Sequence, residues 1–175
     1  SPVQRGALRK AIPFACVAYD IRCQQEIILD TGSVVRNMRA SMAIPGAFKA
    51  IRMDTLMLVD GGMSNNLPVD VVRKMGADVV IAVDLQQRKY DDYHSPFAFL
   101  KGMGGILKWL AERPDIKKYN VNRRQADLYI NPDLGRYGVT DFNRKAIKDI
   151  LRIGEETALK HRTQISSVLK GIGVR

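Results

Sequence analysis

Cysteine and histidine are scarce in this chain, two of each in 175 residues, and tryptophan occurs once. Cys16 and Cys23 have no metal-ligand spacing and make no disulfide framework. Cys16 falls in the apolar run Phe14-Ala15-Cys16-Val17-Ala18-Tyr19, where a buried, inert thiol is expected. His94 and His161 each stand in a polar stretch without a partner, which favours the surface over catalysis or metal binding. No apolar run reaches the ~18 residues of a membrane-spanning helix. Acidic residues are also in short supply, 18 against 28 Lys and Arg, leaving a formal net charge of +10. That balance favours anionic partners. The basic residues are dispersed and form no nucleic-acid motif, so nucleic acid is not expected as a partner. A solvated surface is the plain reading of the charge, and an anionic membrane surface is the functional one.

The chain has the length of one domain, or a large part of one, and its 46% hydrophobic content supports a real core. Residues 12–21 and 26–29 read as strands. Ser33 is placed to cap a helix over 34–42, which Pro45 and Gly46 stop. Residues 51–53 and 56–59 form a hairpin through Asp54-Thr55, and Pro68 opens a helix over 69–75 closed by Gly76. The apolar stretch 79–83 suits a parallel strand covered on both faces. A polar loop spans 86–95, and apolar residues from Phe97 to Leu110 fall at helical spacing. A basic helix over 115–125, a last strand over 126–131 and one long amphipathic helix over 143–170 complete the pattern. Strands alternating with helices define an α/β class.

The most informative stretch is Leu56-Met57-Leu58-Val59-Asp60-Gly61-Gly62-Met63-Ser64-Asn65-Asn66-Leu67-Pro68. A short apolar strand ends in an acid, and α/β folds place their chemistry beyond the carboxyl ends of their strands. Gly61 and Gly62 remove side chains beside the carboxylate and leave room for a substrate or second group. A hairpin turn is the competing reading, because Asp-Gly is a strong turn signal. Asn65 and Asn66 can hold the loop or orient Asp60, with loop-holding favoured. Asp20 and Asp84 also end strands, where turn or cap roles are expected.

Three further blocks flank this one: Arg39-Ala40-Ser41-Met42-Ala43-Ile44-Pro45-Gly46-Ala47-Phe48, Gly76-Ala77-Asp78-Val79-Val80-Ile81-Ala82-Val83-Asp84-Leu85, and Asn131-Pro132-Asp133-Leu134-Gly135-Arg136-Tyr137-Gly138. In this order, with the last block running on through Val139-Thr140-Asp141-Phe142, the blocks closely resemble the C-terminal half of bacterial patatin-like phospholipases, from about residue 12 to about residue 165. The resemblance implies a three-layer α/β/α fold with a mainly parallel sheet, of which residues 1–175 are the C-terminal portion. It implies that Asp60 is the base of a Ser-Asp dyad for acyl transfer, in which a carboxylate takes the serine proton directly. Such a base needs a partly dehydrated site. The region of Ala43, Ile44 and Pro45 would then shape the substrate pocket. A Ser-Asp dyad requires no metal and no cofactor.

The family's serine sits in G-x-S-x-G, and no such motif occurs here. Ser64 and Ser41 come nearest but lack the flanking glycines, and Gly102-Met103-Gly104-Gly105 is not the family's oxyanion loop. The expectation is that the N-terminal half of the same domain supplies serine and oxyanion donors, and that this polypeptide alone does not hydrolyse esters. The expected partners are a phospholipid or other acyl-ester lipid, an anionic membrane surface and that missing half. Members of the family occur as free-standing domains or joined to an outer-membrane barrel, so the compartment stays open. The alternative is a catalytically inactive domain that binds lipid or a protein partner. A phosphate-binding α/β domain is a weaker rival, since it needs a Gly-rich loop before a helix.

Overall fold

A computed structural model describes residues 12–85, 116–138 and 143–171. The 86–95 loop, the amphipathic 97–110 run with Phe99 and Trp109, the glycines at 102, 104 and 105, and His94 lie outside the described residues.

The chain begins with strands β1 (Cys16–Asp20) and β2 (Gln25–Leu29), then helix α1 (Val34–Ser41) and strands β3 (Ile51–Met53) and β4 (Leu56–Asp60). These strands form one antiparallel sheet in the order β2-β1-β4-β3. The links at 21–24 and 54–55 are too short for a crossover, and so impose antiparallel pairing. Gln24 and Asp54 turn the chain with positive φ, 55° and 52°. Asp20 takes the turn role expected of it. Its carboxylate accepts from the backbone N–H groups of Arg22 (3.2 Å), Cys23 (3.4 Å) and Met57 (3.0 Å). Burial would push that carboxyl up, but these bonds bring it below its ordinary value.

Alternation puts the central strands' side chains on two faces. Ala18 and Leu58 pack on Ala40 of α1, while Tyr19 and Val59 pack on Met63, Ile44 and Ala50. Ser33 caps α1 as expected, accepting from the Arg36 N–H at 3.4 Å. Cys16 is buried, and burial pushes its thiol up.

Beyond β4 come a 3₁₀ turn (Gly61–Met63), α2 (Val69–Lys74), β5 (Ile81–Val83), α3 (Ile116–Gln125) and β6 (Leu128–Ile130). Gly76 ends the α2 region at φ +93°, a conformation glycine adopts without strain. β5 and β6 pair in parallel, Ile81 beside Leu128 and Val83 beside Ile130. The fold is therefore mixed α/β, and among the described residues the parallel arrangement is confined to this pair. Leu67, Val69, Val80, Ala82 and Tyr119 form the core between α2, α3 and the pair. The strand is not covered on both faces as expected, since Ile81 and Val83 are 36% and 57% exposed.

Arg73 of α2 fastens this half. Its guanidinium donates to the carbonyls of Ala77 (3.2 Å), Asp78 (2.7 Å) and Gln125 (3.2 Å) and to the Asp127 carboxylate. Asp127 in turn accepts from Val80 N–H at 2.7 Å.

The expected long C-terminal helix is two helices, α4 (Arg144–Lys160) and α5 (Arg162–Lys170). At His161 the backbone N–H is shared between the carbonyls of Thr157 and Ala158, each at 3.2 Å, and the ring Nδ1 lies 2.8 Å from the Thr157 oxygen. This tightening of the last turn breaks the regular ladder. No described helix is long and apolar enough to cross a membrane.

Candidate active site

Asp60 is the last residue of β4, paired with Ala18 of β1. Its N–H donates to the Ala43 carbonyl at 3.1 Å, so the segment after α1 clasps the strand end. Its carboxylate accepts the Gly62 N–H at 2.7 Å and thereby caps the 3₁₀ turn. Burial pushes the carboxyl up from its ordinary value, and the Gly62 bond pulls it back only in part. The result is a half-buried carboxylate with raised proton affinity, fixed from one side.

The two glycines act differently. A Cβ at Gly61 would lie 2.1 Å from the Val17 carbonyl oxygen, so Gly61 is what lets the turn lie against β1. A Cβ at Gly62 would lie 2.9 Å from Asn66 Oδ1 and 3.0 Å from Asp60 Oδ1. Gly62 is therefore the glycine that keeps the carboxylate clear, while Gly61 serves packing.

Asp60 lines an open groove of about 490 Å³ together with Gly61, Gly62, Asn65, Asn66 and Pro68. The rest of the lining is largely apolar: Phe14, Ala15, Val17, Met38 and Met42, with Ser41 among them. Of the sequence-derived site residues, the structure brings Asp60, Gly61, Gly62, Asn65 and Asn66 together here. Ala43, Ile44 and Pro45 stand behind the groove instead. Ala43 holds the Asp60 backbone, Ile44 packs in the Tyr19 cluster, and Pro45 is buried. The apolar part of the lining comes from the start of β1 and from the end of α1, just before the expected residues.

Asn65 holds the loop, as favoured from sequence, but through side chains rather than backbone groups. Its amide donates to Asp70 Oδ1 at 2.9 Å and Glu26 Oε1 at 3.4 Å, and accepts from Asn122 at 3.0 Å. Sequence reasoning missed Asn122, Asp70, Lys118 and Glu26. The only available signal was Tyr119 and Asn122 three positions apart on one face of an otherwise basic helix.

Asp84 departs from its expected turn role. It is 2% exposed and accepts from the hydroxyls of Tyr119 and Tyr129, the latter at 2.6 Å. Burial, and then the bond to Asp84, push the Tyr129 hydroxyl up to about 12 and raise that of Tyr119 as well.

Residues 4–73 match the sequence model of the family described as patatin-like phospholipase. The match contains β4, Asp60 and both glycines. Patatin-like phospholipase domain-containing protein 7 of Mus musculus is 30% identical over 155 residues, 76% of this chain and 12% of that protein. Patatin-like phospholipase domain-containing protein 6 of Homo sapiens is 37% identical over 112 residues, 63% of this chain and 8% of that protein. Lysophospholipase NTE1 of Meyerozyma guilliermondii is 28% identical over 161 residues, 81% of this chain and 11% of that protein. The chain thus spans about a tenth of the length of these curated relatives. All three come from eukaryotes, and they lend no support to the bacterial origin expected from the motif blocks.

Proposed function

We propose that this chain supplies the base and part of the acyl pocket of a serine hydrolase acting on phospholipids or other acyl-ester lipids. The observation that carries the reading is the Asp60 carboxylate, desolvated, held by a single N–H and open to an apolar-walled groove. A carboxylate accepts a hydroxyl proton effectively only when its own proton affinity is raised. The family match over residues 4–73 and the lysophospholipase among the relatives support a lipid ester as substrate.

In the proposed reaction the serine hydroxyl gives its proton to Asp60 while its oxygen bonds to the ester carbonyl carbon. The protonated Asp60 then returns that proton to the departing alcohol as the ester C–O bond breaks. A water repeats both transfers and releases the fatty acid and the free serine. The nucleophile and the oxyanion donors come from sequence outside these 175 residues, which contain no G-x-S-x-G. The net charge of +10 favours approach to an anionic lipid surface.

The test is hydrolysis of a short-chain chromogenic ester by the parent-length protein beside its Asp60→Asn variant. Activity lost in a folded variant is the expected result. A folded, inactive parent that also ignores a serine-directed phosphonate probe overturns the reading in favour of a lipid- or partner-binding domain. Asp60-dependent hydrolysis by the 175-residue chain alone would overturn the placement of the nucleophile elsewhere.

A further inference from the structure

The loop carrying Gly61 and Gly62 is secured from behind by side chains of three other elements. Asn122 on α3 is the centre of that arrangement and is 1% exposed. Its two amide hydrogens are shared among three acceptors, Asn65 Oδ1 at 3.0 Å, Asp70 Oδ1 at 2.9 Å and the Leu67 carbonyl at 2.9 Å from Nδ2. Lys118, one helical turn earlier, closes the cluster with Glu26 of β2 at 2.6 Å and Asp70 at 3.4 Å. Burial would push the Asp70 carboxyl up, but the Asn65 amide, Lys118 and Asn122 bring it below its ordinary value. Asp70 is therefore an ionised acceptor shared by two buried amides. Such a network is rigid when complete, and loses more than one bond when a member is removed.

Asn65 relates this cluster to the carboxylate. The backbone N–H groups of Ser64 and Asn65 donate to the Gly61 carbonyl at 3.0 and 2.9 Å, which closes the turn. That turn presents the Gly62 N–H to Asp60 at 2.7 Å. Asn122 does not line the groove and touches neither Asp60 nor Gly62.

We propose that Asn122 is a positioning residue for Asp60: from α3 it locks Asn65, and through Asn65 the turn whose Gly62 N–H aims the carboxylate at the groove. Its catalytic consequence rests on Asp60 being the base, as proposed above, while the mechanical link stands apart from it. Removing the amide leaves Asn65 Oδ1 and one site on Asp70 without their donor and frees the turn.

The experiment is amide hydrogen exchange by NMR on the full chain, comparing parent, Asn122→Ala and Tyr129→Phe. Tyr129→Phe removes a part-buried polar contact in the neighbouring Asp84 cluster and serves as the control. In Asn122→Ala, exchange at Gly62, Ser64 and Asn65 should accelerate about tenfold or more while the β1–β2 ladder stays within about twofold. The control should leave the loop unchanged. Uniform acceleration everywhere, or an unchanged Gly62, overturns the proposal. If the alanine variant fails to fold, Asn122→Ser carries the same comparison. In parent-length protein with esterase activity, Asn122→Ala should lower kcat about tenfold with KM within about twofold, as for a group that never meets substrate. The loop effect without any Asp60-dependent hydrolysis would sink the base reading alone. Hydrolysis without the loop effect would sink the positioning role alone.

Discussion

Gly61 rests directly on Val17: any Cβ at position 61 would lie 2.1 Å from the Val17 carbonyl oxygen. The obstacle is backbone in the central strand β1, which cannot rotate aside. Gly61→Ala should therefore destabilise the protein by about 1–3 kcal/mol or more, the range for overpacking. Gly62→Ala meets the Asn66 side chain at 2.9 Å, which can move, so it should cost less. Urea unfolding of the two variants orders them, and equal midpoints would contradict this assignment.

Asp60 makes stability depend on pH with a definite sign. Its folded proton affinity is raised by burial, so the folded state holds the proton to higher pH than the unfolded chain does. Stability from this group is full below the unfolded carboxylate pKa and is lost as pH rises through the folded one. Asp60→Asn keeps an oxygen for the Gly62 N–H and removes the charge. The variant should be more stable than the parent at pH ~7, and the gap should close in acid near pH ~3. Denaturant midpoints at the two pH values check this; a variant less stable at neutral pH would refute it.

Asp84 gathers two tyrosine hydroxyls, and its loss should be felt by both. Asp84→Ala should cost about 1–3 kcal/mol for each buried hydroxyl left without this acceptor. Tyr129→Phe removes one donor without stranding the other, and should cost about 1–2 kcal/mol. Thermal melts should therefore rank Asp84→Ala clearly below Tyr129→Phe.

At the start of α4, Asn143 accepts from the Ala146 N–H at 2.9 Å. Asn143→Ala should cost about 1 kcal/mol, and Asn143→Ser or Asn143→Asp should restore most of it. Far-UV circular dichroism melts would show a lowered midpoint for alanine alone.

What could be read in the sequence was local. The β3–β4 hairpin, the Ser33 cap, the α2 start after Pro68 and the carboxylate at the end of β4 all follow from neighbouring residues. The hairpin at 54–55 was legible and the parallel β5–β6 pair agrees with the sheet that the resemblance implied, but the antiparallel pairing of β1 with β2 was not read, although the short link at 21–24 requires it. The break at His161 has no proline or glycine to announce it, and the apolar spacing runs on regardless. The cluster behind the Gly61-Gly62 loop was illegible for a different reason. Asn122 meets Asn65 across 57 positions and Lys118 meets Glu26 across 92, and only the fold brings them together. Ile44 and Pro45 were expected at the pocket because sequence blocks mark neighbourhood, not the direction in which side chains project.

The bonds from Arg73 to Gln125 and Asp127 span 52 and 54 positions, Lys118 reaches back 92 to Glu26, and β5 pairs with β6. Every one of these ties joins a residue at or before 85 to one at or after 116. A single backbone cut between those positions would sever none of them. Those ties would still be available to hold the two pieces together after nicking. In this sense the protein is built as a pair of complementary parts that happen to share a chain.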